Sequence, residues 1–232
     1  EAPRPLGPIR ILAGPREIPA ARLDGGLRAV AWIGVDLETP PGPLAVRVEA
    51  ATAAGQPAES TQRLAVLDGR FSVQRLTLPR VFVDLDAATQ ERAARERAEL
   101  DRLWATATPT RAWRGPFRLP LERGTVPPGF GLRRIINGEP RAPHTGIDFT
   151  APAGTPVLAA HAGVVALAAE HFFGGRSIVV DHGLGLFTMY FHLQERLVTV
   201  GARVAQGDPI GRVGRTGRAT GPHLHWGARL SG

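Results

Sequence analysis

Turn-forming residues break this chain into short segments along almost its whole length, and that punctuation confines it to a fold built from strands. Its 232 residues include 28 Gly and 21 Pro, a balance suited to strands joined by tight turns rather than to a helical bundle. IRIL, LRAVAWIGVDL, LAVRVEA, RLAVLDG and FSVQRLTL show rough apolar/polar alternation, separated by AGP, ETPPGP, AAGQPAES and the Asp68-Gly69 pair. The pattern predicts an N-terminal Ig-like β-sandwich domain over residues 1–85. Nothing in it gathers His, Asp or Glu into a motif, so its expected role is spacing, docking or regulation.

One stretch breaks the pattern. In DLDAATQERAARERAELDRLWAT, Ala and charged residues of high helix propensity replace the β-branched ones. Residues 86–115 are therefore expected to form a helical linker. Asp86 is placed to cap the helix start, while Glu91 with Arg95 and Arg97 with Asp101 stand four apart. Leu100, Leu103 and Trp104 give it one narrow apolar face near its C-terminal end. At about 1.5 Å per residue, such a helix could act as a strut of roughly 30 Å.

Residues 116–232 return to strands with Gly-containing turns, and all seven histidines fall there. Composition narrows the chemistry they can do. The formal charge of +7 comes from arginine alone, because the chain has no lysine. The arginines are scattered rather than clustered, which argues against nucleic acid and for an anionic polymer or envelope surface. Without lysine there is no Schiff base, no phosphate-loop lysine and no lipoyl or biotinyl carrier. Without cysteine there is no thiol nucleophile or thiolate site, so any metal must be held by nitrogen and oxygen. No stretch reaches the ~20 apolar residues of a membrane span. The start EAPRPLGPIR lacks a signal pattern, as a mature exported chain would with its signal removed.

Two motifs stand out in the histidine-bearing half. PHTGIDF supplies His144 and Asp148; TGPHLHWG supplies His223 and His225. Every second side chain of a strand points to the same face, so HLH offers two imidazoles to one point and turns Trp226 the other way. Two imidazoles and one carboxylate form the ligand type of many catalytic zinc sites, with a position left open for water. Spacing alone leaves open which histidine of HLH is the ligand. His192, in YFHL, is placed to orient water or steady an oxyanion if it reaches the same site. His161, His171 and His182 read as structural. Phe172 and Phe173 suit either a groove wall or core packing.

Taken together and in this order, PHTGIDF, YFHL and TGPHLHWG resemble the lysostaphin/LytM-type zinc metallopeptidases, which cut peptide bonds in bacterial cell walls. The likeness runs from about Phe117 to Gly232 and includes FGLRR, APAGTPVLAAHAGVV and VTVGARVAQGDPIGRVGRTGRATGPHLHW. It implies a LytM-type peptidase domain, mostly β, with one zinc ion held by His144, Asp148 and His225. It also implies that His192 and His223 are the catalytic pair, with peptidoglycan as substrate and a periplasmic or extracellular location. Zinc-activated water needs no protein nucleophile, and Ser177 lacks the setting of a hydrolase serine.

Some relatives of this type activate amidases after losing their metal ligands, and a non-catalytic wall-binding regulator is the alternative reading. Here every ligand and both catalytic histidines are present. Two positions depart from the family pattern: VPPGFG stands where Ser or Thr is common before the aromatic-Gly pair, and Tyr190 is the only tyrosine. Some relatives place an upstream asparagine on the open zinc position, a role available to Asn137, although INGEPRAPH reads equally well as a turn. The long helix raises a further expectation, that the N-terminal domain regulates the groove.

Overall fold

The computed structural model describes residues 5–51, 55–77, 80, 83–122 and 128–231; Leu78 of FSVQRLTL and Val126-Pro127 of VPPGFG lie outside them. Among the described residues the chain is mostly β with one α-helix, as its turn pattern predicts. In order, the elements are β1 (Ile9–Ala13), β2 (Arg16–Glu17), β3 (Ala20–Leu23), β4 (Arg28–Ala31), β5 (Gly42–Ala51), β6 (Pro57–Val66), β7 (Val73–Leu76), α1 (Ala87–Trp104), β8 (Arg133–Ile136), β9 (Glu139–Arg141), β10 (Gly146–Thr150), β11 (Pro156–Leu158), β12 (Gly163–His171), β13 (Gly175–Gly183), β14 (Leu186–Arg196), β15 (Arg203–Val204), β16 (Pro209–Val213) and β17 (His223–Leu230).

The N-terminal segment builds a four-stranded sheet in the order β2-β1-β5-β6 and a β3-β4 ribbon. Ile11, Ala13, Ile18 and Val46 form its small core, with Ala20 and Ala31 of the ribbon packed against them. The last N-terminal strand behaves differently from its neighbours. Asp68 accepts a hydrogen bond from the Arg70 N–H through Oδ1, and the chain then leaves the sheet instead of closing a hairpin. Strand β7 instead pairs in parallel with β8, from the other side of the helix.

Strand β8 continues into β9 through Asn137-Gly138, where φ is 53° and 85°. Positive φ at both central residues defines the two-residue hairpin that Asn-Gly favours, because its twist matches that of the flanking strands. The turn sets the register Ile136↔Glu139, Ile135↔Pro140 and Arg134↔Arg141. Asn137 is therefore a turn residue whose N–H donates to the Leu76 carbonyl.

The C-terminal half folds into an eight-stranded sheet, ordered β10-β17-β14-β13-β12-β15, with β16 joined to β14 and β11. Phe187, Ile178, Leu193, Ile210 and Leu224 are fully buried in it, each such side chain stabilising the fold by about 1.5–3 kcal/mol. A polar relay crosses this core. The Ala160 N–H donates to the Tyr190 hydroxyl, which lies 3.0 Å from Thr188 Oγ1. Thr188 Oγ1 in turn lies 2.7 Å from His182 Nε2, and His182 Nδ1–H donates to the Ala162 carbonyl. Every polar atom named in this relay has a partner, which is what makes its burial tolerable. The only tyrosine is thereby a core residue.

Helix α1 starts where expected: Asp86 accepts from the Thr89 N–H at 2.7 Å. Leu100, Leu103 and Trp104 pack on Phe187 and Val179, with the Trp104 and Phe187 rings 5.3 Å apart. Polar contacts extend the attachment. Glu96 accepts from the Phe172 N–H, Glu99 lies 3.1 Å from His171, and Arg92 donates to the Glu170 carbonyl. The helix is thus held to the C-terminal sheet from Arg92 to Trp104.

Burial pushes the His182 imidazole down to about 4 from an ordinary 6.5. The unfolded chain therefore takes up a proton at a pH where the folded chain does not. The stability this site contributes is whole above pH 6.5 and is lost as the pH falls from there to about 4. At about 1.36 kcal/mol per pKa unit, roughly 2 kcal/mol is lost by about pH 5. Urea unfolding at about pH 7.5 and about pH 5 should show that His182→Gln, although less stable, loses about 2 kcal/mol less between them. An equal loss in both proteins would contradict a neutral buried imidazole.

Candidate metal centre

Strands β10 and β17 are neighbours, and their register puts Asp148 directly opposite His225. Alternation along β17 sends Leu224 into the core, fully buried, and leaves His223 and His225 on the other face. His144 enters from the loop before β10. Its N–H donates to the Leu132 carbonyl and its carbonyl accepts from the Gly131 N–H. Gly146 makes room for the cluster, because a Cβ there would lie 2.7 Å from His225 Nε2.

Three ligand atoms converge. His144 Nε2 lies 3.0 Å from Asp148 Oδ1 and 3.0 Å from His225 Nδ1, and His225 Nδ1 lies 2.8 Å from Asp148 Oδ1. Among the described residues these three make the metal-type cluster. The protons do not suffice for them. His144 Nδ1–H donates to the Gly129 carbonyl, so Nε2 of the neutral ring is a bare lone pair. A proton on His225 Nδ1 can serve one or two of the contacts, but His144 Nε2 and Asp148 Oδ1 still face each other as two acceptors. A cation between the three atoms satisfies all of them at once, and the set of two imidazoles and a carboxylate suits zinc. Burial works against the Asp148 charge, yet the adjoining His144 and His225 rings outweigh it and hold the carboxyl well below its usual range. The carboxylate is therefore ionised and ready to bind.

The other two histidines stand beside this cluster. The His192 and His223 ring centroids are 4.6 Å apart, and His223 Nε2 lies 3.9 Å from Asp148 Oδ1. Each presents the same nitrogen: His192 Nδ1–H donates to the Thr216 carbonyl and His223 Nδ1–H to the Gly221 carbonyl, leaving Nε2 free toward the site. Burial lowers the His192 pKa to about 4, with the charges of His223 and His225 adding to the effect. It is a neutral acceptor at ordinary pH.

His192 reaches the site through a bulge. Between Tyr190↔Ile178 and Leu193↔Arg176, strand β14 spends two residues where β13 spends one. Strict alternation would turn His192 into the core with Tyr190. The extra residue re-aims it, with φ at 64°. Phe191, also in the bulge, stacks on His225 at 5.6 Å between centroids.

The structure thus brings together His144, Asp148, His192, His223 and His225. His161, bonded to the Arg114 carbonyl, His171 and His182 stay apart from them. Ser177 is buried and donates to the Gly175 carbonyl. Asp181 accepts from the Gly183 N–H and from Thr108, which fixes its turn. Sequence reasoning misses the carbonyls of Gly129, Thr216 and Gly221, since backbone groups carry no residue signature. It also misses Arg134, whose Nη2 lies 3.8 Å from Asp148 Oδ2.

A β-sheet chain with a two-histidine, one-carboxylate centre flanked by two further imidazoles defines a metallopeptidase-like class. The family model described as Peptidase family M23 matches residues 142–232. A Pseudomonas aeruginosa protein solved as a candidate M23 peptidase aligns with a TM-score of 0.74 and 30% identity, over 100% of this chain and 91% of that one. The chain belongs to peptidase family M23. It is also 43% identical over 118 residues to the peptidoglycan DD-endopeptidase ShyC of Vibrio cholerae, covering 50% of this chain and 27% of that protein. To the DD-carboxypeptidase/endopeptidase Mpg of Neisseria meningitidis it is 45% identical over 89 residues, covering 38% and 20%. The chain spans about a quarter of the length of such curated relatives.

A positive φ at a residue other than glycine costs about 1–3 kcal/mol. Replacing His192 by Gly or by Ala removes the same imidazole but relieves the backbone only with Gly. Thermal or urea unfolding should find His192→Gly more stable than His192→Ala by about 1 kcal/mol. Stability in the opposite order would contradict the bulge geometry.

Proposed function

We propose that this chain is a zinc-dependent metalloendopeptidase that hydrolyses peptide bonds in bacterial peptidoglycan, in its cross-links or stem peptides. The observation that carries this reading is the meeting of His144 Nε2, Asp148 Oδ1 and His225 Nδ1 within 3.0 Å of one another, two of them bare or ionised acceptors. Bound there, zinc supplies Lewis acidity and lowers the pKa of water to about 7. The rest falls to the chain itself. His192 and His223, each held by a carbonyl through Nδ1–H, offer Nε2 to take a proton from the attacking water and return it to the departing amine. In its protonated form, either ring can also donate to the oxyanion. Phe191 against His225 keeps the ligand ring from turning.

The relatives named as peptidoglycan endopeptidases support the substrate class, and an envelope location follows from that substrate. Among the described residues, no helix is long and apolar enough to cross a membrane. Regulation by the N-terminal segment belongs to the same proposal. Its Phe71 ring fills the space beside Gly131, in the loop that holds His144.

Metal analysis of purified variants tests the assignment. His144→Ala, Asp148→Ala and His225→Ala should each lose stoichiometric zinc. His192→Ala and His223→Ala should keep it while turnover on purified peptidoglycan falls by roughly 10²–10⁴. Normal zinc content and full activity in His225→Ala would contradict the reading.

A further inference from the structure

The metal centre has an arginine-bearing wall that the hydrolytic chemistry does not use. Gln74 on β7 is the register partner of Arg134 on β8, which is the partner of Arg141 on β9. Register partners share a sheet face, so the three side chains form one row. Arg134 fixes where that row looks, since its Nη2 reaches to 3.8 Å from Asp148 Oδ2. Two like charges directly opposite in an antiparallel pair oppose folding. Within this row Asp148 is the sole carboxylate within ion-pair distance among the described residues, and it is already shared with two histidines.

Two buried atoms in the row, Gln74 Oε1 and Arg134 Nε, have no hydrogen-bond partner among the described residues. One is an acceptor and the other a charged donor. Leaving such atoms buried without a partner opposes folding. Both atoms are covered by protein, so what a ligand meets in this row is the exposed part of the Arg134 side chain and the exposed Arg141. A third arginine lies near enough to sense their charge. Arg218 donates its N–H to the Phe173 carbonyl, and its guanidinium lies over the Phe173 ring at 4.3 Å. Burial lowers the pKa of Arg218, and the charges of Arg134 and Arg141 lower it further.

We propose that Arg134 and Arg141, with Gln74 in the same row and Arg218 near by, form a carboxylate-binding subsite beside the metal centre that takes a free carboxylate of the peptide being cut. This rests on the metallopeptidase reading and adds the charge of the substrate to it. Guanidinium groups bind carboxylates through paired, charge-assisted hydrogen bonds that a carboxamide cannot reproduce. The N-terminal segment, through Gln74, then backs the substrate site. A neutral glycyl bridge offers nothing for this wall to hold.

The test uses the full zinc-loaded chain and cross-linked stem-peptide dimers in two forms, with free carboxyls and with those carboxyls amidated. The wild-type chain should cleave the acid form with kcat/KM higher by roughly 10- to 100-fold, the worth of a charge-assisted hydrogen bond. Arg141→Gln touches no metal ligand. It should raise KM for the acid form far more than for the amide, with zinc still stoichiometric, and be partly rescued by Arg141→Lys. Equal cleavage of both forms by the wild type, or equal slowing of both by Arg141→Gln, would overturn the subsite.

If the wild type cleaves neither form, the endopeptidase reading fails, and the subsite is still judged by binding. With N-acetyl-D-alanyl-D-alanine as probe, the arginine Nε–H NMR signals of Arg134 and Arg141 should shift with the free acid and not with its amide. Equal shifts with both, or none, would overturn it.

Discussion

A pair of residues facing each other across two antiparallel strands, Asp148 and His225, sets the demand that the rest of the site answers. Their side chains meet at 2.8 Å, and His144 closes a triangle with them. The Gly129 carbonyl takes the one proton that a neutral His144 has to give. What remains is a cluster with more lone pairs than protons. Such a cluster is costly when empty and favourable around a cation, so a metal bound here would be coupled to folding. Gly146 follows from the same demand, because any larger residue would push His225 off its partners.

The supporting structure shows the same economy of backbone groups. Three carbonyls, from Gly129, Thr216 and Gly221, each choose a tautomer for one histidine. His192 depends further on a strained bulge, held because its N–H donates to Gly174 and the next residue resumes pairing. Strain of this kind persists where surrounding contacts over-determine the backbone, which is common at functional sites. Beneath the site, the Tyr190 relay and the packing of Trp104 on Phe187 keep β13 and β14 fixed.

Much of this was legible in the residues. Alternation in HLHWG sends Leu224 into the core and both histidines to one face, and Asp86 caps the helix that its sequence announces. The reading weakened where distant segments meet. No local pattern places FSVQRL beside Arg133–Ile136, because a parallel pair formed across a helix depends on the whole fold. Strict alternation in YFHL would have turned His192 to the core, since a bulge adds a residue without marking it. Arg134 looks like an ordinary strand residue until the fold sets it 3.8 Å from Asp148. Which ring nitrogen is bare is decided by carbonyls, and every residue carries one.

Crystals of the full chain grown with zinc, measured with X-rays on either side of the zinc absorption edge, test the account most directly. They should show one anomalous peak bonded to His144 Nε2, Asp148 Oδ1 and His225 Nδ1 at about 2.0–2.2 Å, with Nε2 of His192 and His223 turned toward it. A peak ligated by other residues, or a fully occupied cluster with no metal and protons between its three atoms, would contradict it.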